Sequence, residues 1–94
     1  MLKEEVYTGL VSAINVPIKI DDDGFIYFLI NLIDVVPPPA EIPYVLYIDT
    51  SKPQAAAMML LMASAYVTKT RITVGLEPKR QGRVEWATIG DRQR

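Results

Sequence analysis

The sequence predicts an all-β protein with one helix, and three observations in its 94 residues support this class. Five segments are rich in β-branched and aromatic residues, which are typical of strands. Prolines, glycines and short polar clusters separate these segments. One segment, after the third strand, is instead rich in alanine, leucine and methionine. The predicted order of three strands, a helix and two strands is that of the OB-fold, a five-stranded β-barrel with an α-helix between strands 3 and 4.

The first half of the chain contains three predicted strands. Glu5 to Val16 is rich in valine, isoleucine and threonine and ends before Pro17, which lacks the amide hydrogen that a β-ladder needs. The second strand, Phe25 to Val35, follows an Asp-Gly hairpin signal within residues 21–24. Its nearly continuous apolar pattern predicts that both of its faces are covered. A proline-rich connection leads to the third strand, Tyr44 to Asp49.

The helix and two further strands complete the predicted domain. Ser51 begins a Ser-Lys-Pro-Gln sequence with the form of a capping box, so the helix is expected to begin here and to cover residues 54–67. Residues 71–76 alternate as a fourth strand, and residues 83–89 form the fifth after a hairpin. Residues 1–94 are therefore expected to form a single OB-fold domain.

The predicted helix has almost no face suited to water, because Gln54 and Ser64 are its only strongly polar residues. A helix that is apolar all round is normally buried on every side, but so small a chain buries too little surface to wrap one completely. We therefore expect another copy of the chain to cover it, which makes the protein a homo-oligomer. The residues expected at the oligomer interface are Met58, Met59, Met62, Leu60, Leu61, Ala56 and Ala63.

The same helix is too short to cross a membrane. Fourteen residues at about 1.5 Å each span roughly 21 Å, whereas the hydrocarbon core is about 30 Å thick. The charged start, Met1 to Glu5, differs from a secretory signal. The protein is therefore expected to be cytoplasmic, or secreted if a signal peptide has been removed.

Because methionines repack easily, an apolar segment of a partner chain is an alternative occupant of the helix surface.

Charge is distributed unevenly, although the formal net charge is only −1. Residues 1–68 contain three Lys and eight Asp or Glu, giving −5, and residues 69–94 contain seven Lys or Arg and three acids, giving +4. The alternative function is single-stranded nucleic-acid binding, in which OB-folds combine a basic groove with stacking aromatic residues. Its candidate residues are Lys79, Arg80 and Arg83. The lack of a basic excess over the whole chain argues against this alternative.

The chain has no histidine and no cysteine, which excludes a His-based triad, a thiol nucleophile and a conventional zinc site. Asp34 and Asp49 flank the proline-rich connection and are candidates for a catalytic carboxylate pair, but aspartates at strand ends usually form turns. The aspartates at positions 21–23 lack the further ligands that a calcium loop needs. We therefore expect a non-enzymatic protein without a metal or cofactor, with a small carboxylate enzyme as the third hypothesis.

Short motifs in the second half of the chain resemble the cholera-type enterotoxin B subunit. They are Ser51-Lys52, Ala65-Tyr66-Val67-Thr68, Arg71-Ile72 and Ala87-Thr88-Ile89. The resemblance implies an OB-fold that forms a homopentameric ring, with the helices lining a central pore and one ring face binding cell-surface sugars. Pro78 stands where the cholera-type pattern has a galactose-stacking Trp, and both disulfide cysteines of that pattern are absent.

The first strand resembles another branch of the bacterial AB-type toxin B subunits. Val6-Tyr7-Thr8-Gly9-Leu10-Val11, together with Glu77-Pro78, is similar to the subtilase and typhoid toxin B subunits. That branch binds sialic acid through a first-strand Ser, and the resemblance implies that Thr8 takes this role here, with Tyr7 beside it. The expected function is therefore a ring-forming binding or scaffold module, with a carbohydrate as its candidate ligand.

Overall fold

A computed structural model of the chain describes residues 5–16, 27–39, 44–78 and 82–89. The elements in chain order are β1 (Glu5–Asn15), β2 (Tyr27–Val36), β3 (Tyr44–Asp49), α1 (Ala55–Thr68), β4 (Ile72–Leu76) and β5 (Val84–Ile89). This order confirms the prediction of a β-rich fold with one helix between the third and fourth strands. The hairpin signal at residues 21–24 lies outside the described residues.

The five strands form one antiparallel sheet with the order β3-β2-β1-β4-β5. β1 is the central strand and pairs with β2 and β4. Because it is long, the two neighbours pair with different parts of it. Its first half pairs with β4, as in Thr8 opposite Thr73, and its second half pairs with β2, as in Val11 opposite Leu32. Two register shifts, the mark of β-bulges, interrupt the pairing of β1 with β2.

The sheet is not closed into a barrel, which corrects the closed arrangement expected from the sequence. In the described part of the chain, the edge strand β3 meets the chain entering β5 at one isolated parallel bridge, between Tyr47 and Arg83. There the amide of Tyr47 donates to the carbonyl of Gly82 at 2.7 Å. Gly82 has a φ of 78°, a conformation that favours glycine. The two edges therefore approach each other at one point without forming a ladder.

The hydrophobic core lies between the inner face of the sheet and α1. Alternate residues of each strand point to this face, as the two-residue period of a strand requires. The fully buried side chains of the core include Ile30, Leu32, Leu46, Ile48, Met62, Ile72, Val74, Leu76 and Val84. The second face of β2 is covered only in part, contrary to the expectation from its apolar sequence: it is half-buried near the start of the strand but exposed at Ile33 and Val36.

The turn between β3 and α1 is built on Asp49 rather than on the predicted capping box. Oδ1 of Asp49 accepts hydrogen bonds from the amide of Ser51 at 2.9 Å and from its hydroxyl at 2.7 Å. The Ser51 hydroxyl is thus used within the turn, in the manner of an aspartate-centred turn. α1 begins later, at Ala55, with Gln54 at the N-cap and no side-chain cap hydrogen bond.

Candidate functional site

One face of α1 packs against the inner face of the sheet. Its buried residues are Ala55, Met58, Met62 and Ala65, which follow each other at spacings of three and four residues. This spacing keeps side chains on one side of a helix. The remaining positions of α1 consequently point sideways or away from the sheet.

The opposite face of α1 is apolar and exposed. Leu60 and Val67 expose 74% and 76% of their surface. The small residues Ala56, Ala57, Ala63 and Ser64 are exposed on the same side of the helix. A surface helix usually carries charged residues on its outer face, but residues 55–68 include none. We call this exposed side, formed by residues 56, 57, 60, 63, 64 and 67, the outer face of α1.

Charged side chains begin only beyond the two ends of α1. Lys52 precedes the helix and forms an ion pair with Glu77, with 3.8 Å between Nζ and Oε2. Lys69 ends the helix in a left-handed conformation, with φ of 56°, and its amide donates to the carbonyl of Ala65. The hydroxyl of Thr68 donates to the carbonyl of Ser64 at 2.8 Å. The helix terminus is therefore satisfied locally, and no charge interrupts the outer face.

Two of the predicted interface residues lie inside the protomer. Met58 and Met62 are buried in its own core, so neither side chain can contact a second copy. This orientation could not be predicted, because apolar residues occur on every side of the predicted helix. Their role in this structure is to join α1 to the sheet.

The other predicted interface residues are exposed or half-buried at the surface of the protomer. Leu60, Ala56 and Ala63 belong to the outer face, whereas Met59 and Leu61 are half-buried at its sides. The prediction missed Val67 and Tyr66, which are also exposed on α1. A signal for Val67 was present in the sequence, since positions 56, 60, 63 and 67 follow the spacing of four, three and four that is typical of helix pairs.

The two candidate sugar-binding residues lie on opposite faces of β1, because consecutive strand residues alternate in direction. Tyr7 packs edge-on against Tyr44, with 5.0 Å between ring centroids. Thr8 shares a hydrogen bond with the hydroxyl of Thr73 at 2.9 Å. The structure therefore does not bring Tyr7 and Thr8 together into one site, and sugar binding through Thr8 stays a prediction.

The candidate nucleic-acid residue that the structure describes is engaged with protein groups. Nη1 of Arg83 lies 3.5 Å from Oδ2 of Asp49. The guanidinium carbon of Arg83 also lies 4.5 Å from the centre of the Tyr27 ring, which is cation–π geometry. Lys79 and Arg80 lie outside the described residues. Nucleic-acid binding stays a prediction, and Arg83 serves here to hold β5 beside β2 and β3.

The two candidate catalytic aspartates are far apart. Asp49 is opposite Tyr27 in the sheet, and Asp34 is seven residues further along β2, about 23 Å at about 3.3 Å per residue. Burial raises the pKa of Asp49, but hydrogen bonds from Ser51 and the charges of Arg83 and Lys52 outweigh burial, so this pKa is lowered. Such a carboxylate is ionised and fully partnered, as is typical of a structural group.

Within the described residues, no three acidic, histidine or cysteine side chains are placed to hold a metal ion. In the same part of the chain, no helix has the length and apolarity needed to span a membrane.

Comparisons with protein-family models, with curated proteins and with solved structures found no match to this chain. The resemblance to toxin B subunits therefore rests on the short motifs alone. The outer face of α1 is apolar, uncharged and exposed, and we take it as the candidate functional site.

Proposed function

We propose that this chain is a non-enzymatic OB-type module that assembles with copies of itself into a ring, with five copies as the expected number, and that the ring acts as a scaffold or binding unit. The observation that carries the proposal is the outer face of α1. Apolar residues as exposed as Leu60 and Val67 are normal when scattered singly, but a continuous apolar helix face marks an interaction surface.

The strand pairing supports the OB-type part of the proposal. β1 pairs with both β2 and β4, and β3 meets the start of β5 in parallel at the bridge between Tyr47 and Arg83. An OB-fold is a partly open Greek-key barrel, so an incompletely joined sheet is compatible with it. The helix between β3 and β4 also occupies the expected position.

The absence of charge on α1 supports self-association. An exposed helix face without charged residues offers no ion pair by which to select a polar partner, and it gains stability by burying apolar area, roughly 25 cal/mol per Å². Copies of the same chain are always present at matching concentration. A homo-oligomer therefore covers the outer face without requiring a second gene product.

Native mass spectrometry combined with light scattering over a dilution series tests this proposal. Five copies of a 10.5 kDa chain have a mass of about 53 kDa. We expect a multimer of this size that persists at low micromolar concentration. A chain that stays monomeric at all concentrations would disprove the self-assembly.

Variants show whether the outer face of α1 is responsible. Leu60→Glu with Val67→Glu introduces two charges there and should give a folded monomer. Val36→Glu is the matched control, because Val36 is also an exposed apolar residue, at 59%, but lies on the sheet. Circular dichroism verifies that each variant is folded. If the double variant still assembles and Val36→Glu does not, the interface lies on the sheet instead.

A further inference from the structure

Two edges of the sheet meet without a ladder where β3 ends and β5 begins. Strands that are neighbours in the order β3-β2-β1-β4-β5 are joined by ladders of five or six residue pairs. Between β3 and β5, the described residues form an isolated bridge from Tyr47 to Arg83, where the amide of Tyr47 donates to the carbonyl of Gly82. We call this meeting of Tyr47 and Asp49 with Gly82 and Arg83 the seam. Because the seam has no ladder, its strength depends on side chains.

Side chains of the turn between β3 and α1 reach across to β4 and β5. Lys52 forms an ion pair with Glu77, which follows β4, and Nε2 of Gln54 donates to the carbonyl of Glu85 in β5 at 3.4 Å. Both contacts lie at the surface, and the side chain of Lys52 is 40% exposed. Exposed ion pairs contribute little to stability, because water and salt screen them. These two contacts therefore add little to the strength of the seam.

The pair of Asp49 and Arg83 differs from these contacts in its burial. The side chain of Asp49 is 5% exposed and that of Arg83 is 22% exposed, with 3.5 Å between Oδ2 and Nη1. The guanidinium of Arg83 also lies over the ring of Tyr27 in β2, 4.5 Å from its centre. Removing one member of a buried pair leaves the other charge without its partner, which is costly. Closure of the seam therefore depends mainly on this pair.

We propose that the pair of Asp49 and Arg83 is a clasp: when it is released, the seam opens locally while the core and the ladder between β2 and β3 stay formed. Local openings of proteins have free energies between about zero and that of global unfolding, and segments with few buried contacts open most easily. Val84 at the start of β5 is 2% exposed and paired with Leu76, so it keeps β5 on the sheet in the open state. The domain then has two states, closed and open at the seam, around one core. This inference does not depend on self-assembly.

Amide hydrogen exchange, measured by NMR on the natural chain, tests the local opening. The amide of Tyr47 points across the seam, whereas the amides of its neighbours Leu46 and Ile48 point to β2, because main-chain groups alternate along a strand. After correction for intrinsic rates, we expect the Tyr47 amide to exchange at least tenfold faster than either neighbour. Equal exchange of the three amides would show that the seam opens only when the sheet comes apart, and it would overturn the proposal.

Variants of the clasp test whether the ion pair holds the seam closed. Arg83→Met keeps an aliphatic side chain and removes the charge. It should speed exchange of the Tyr47 amide at least fivefold and change that of the two neighbouring amides less than twofold. Asp49→Asn removes the charge on the other side and keeps an oxygen that can accept from Ser51. It should give the same selective effect, and it provides the test if Arg83→Met does not fold.

Lys52→Met is the matched control, because it breaks an ion pair of the same turn and leaves both members of the clasp in place. It should change exchange of the Tyr47 amide less than twofold. An effect as large as that of Arg83→Met would contradict the assignment of the clasp to one ion pair. Equal acceleration of the Tyr47 amide and its two neighbours in the clasp variants would show that the pair stabilises the whole fold, which also overturns the proposal.

Discussion

The guanidinium of Arg83 forms an ion pair with the carboxylate of Asp49, with 3.5 Å between Nη1 and Oδ2. The pair lies beside the isolated bridge between Tyr47 and Arg83. It links the end of β3 to the chain entering β5, so it reinforces the point where the two edges of the sheet meet in the described part of the chain.

The ionisation of Asp49 should make stability depend on acid pH. Burial raises its pKa, but Ser51, Arg83 and Lys52 together lower it below the ordinary value of 3.8. A lowered pKa in the folded state contributes stability above pH 3.8, and this contribution is lost as the pH falls through the folded pKa. Between pH 5 and pH 2, urea unfolding should show a smaller loss of stability for Asp49→Asn than for the natural chain. Equal losses would contradict this role.

Tyr44 should make stability depend on alkaline pH. Burial, with contributions from Tyr7 and Glu5, raises the pKa of Tyr44 to about 12 from 10.0. A raised pKa contributes stability that is fully present below pH 10 and is lost as the pH rises through 12. The free energy of unfolding should therefore fall between these pH values, and less so in Tyr44→Phe. Phenolate absorbance measures the ionisation directly. The natural chain should contain one tyrosine that ionises at a higher pH than usual, and Tyr44→Phe should lack this step.

Gly75 should be intolerant of a β-carbon. The indole of Trp86 lies against the α-carbon of Gly75, in the space that an alanine side chain would occupy. Gly75→Ala should displace the indole and destabilise the fold by about 1–3 kcal/mol. Trp86 is the single tryptophan of the chain, so its fluorescence reports the displacement directly. In a Trp86→Leu background the same change should cost less, and an equal cost would argue against a clash with the indole.

The two faces of α1 should respond differently to truncation. Met62→Ala removes buried core and should cost about 2–5 kcal/mol of unfolding free energy. Leu60→Ala should change the stability of the isolated protomer by no more than about 0.5 kcal/mol, because Leu60 is exposed there. Its effect should appear instead as weaker assembly on dilution. Similar unfolding costs for both variants in a monomeric state would contradict the assignment of the faces.

Lys69→Gly should stabilise the end of α1. Lys69 adopts a positive φ of 56°, which is unfavourable for a residue with a β-carbon. Glycine removes this strain, and we expect a gain of about 1 kcal/mol in thermal or urea unfolding. Thr70→Gly is the control, because Thr70 has no positive φ and should lose rather than gain stability. A destabilised Lys69→Gly variant would show that the lysine side chain itself contributes more than the strain costs.

The sequence was sufficient to predict the order of the elements and most of their ends. β3 begins and ends at the predicted residues, Tyr44 and Asp49, and β4 and β5 each begin one residue later than expected. These predictions succeeded because β-branched runs and turn residues are local signals. α1 likewise begins one residue later than predicted, at Ala55. The predicted capping box does not form, because Asp49 accepts the hydrogen bond of the Ser51 hydroxyl, and local spacing does not reveal which acceptor that hydroxyl uses.

Other features depend on long-range packing and could not be read from the pattern. Which side of α1 faces the core is one of them, because a nearly uniform apolar helix has no polar face to orient it. Met58 and Met62 were consequently expected at the interface although they belong to the core. Closure of the sheet is another, since it depends on how far β3 and β5 bend toward each other rather than on the residues of either strand.

The uncharged outer face of α1 has a consequence for the abundance of the protein in its host. A folded but unassembled copy displays the kind of apolar surface that chaperones retain and proteases remove. If copies associate as proposed, newly made chains would be turned over quickly below the concentration of association and would persist above it. Expression level would then control the lifetime of the protein as well as its amount. A copy whose α1 is truncated or charged could not cover the outer face of its neighbours, so it would also shorten the lifetime of normal chains.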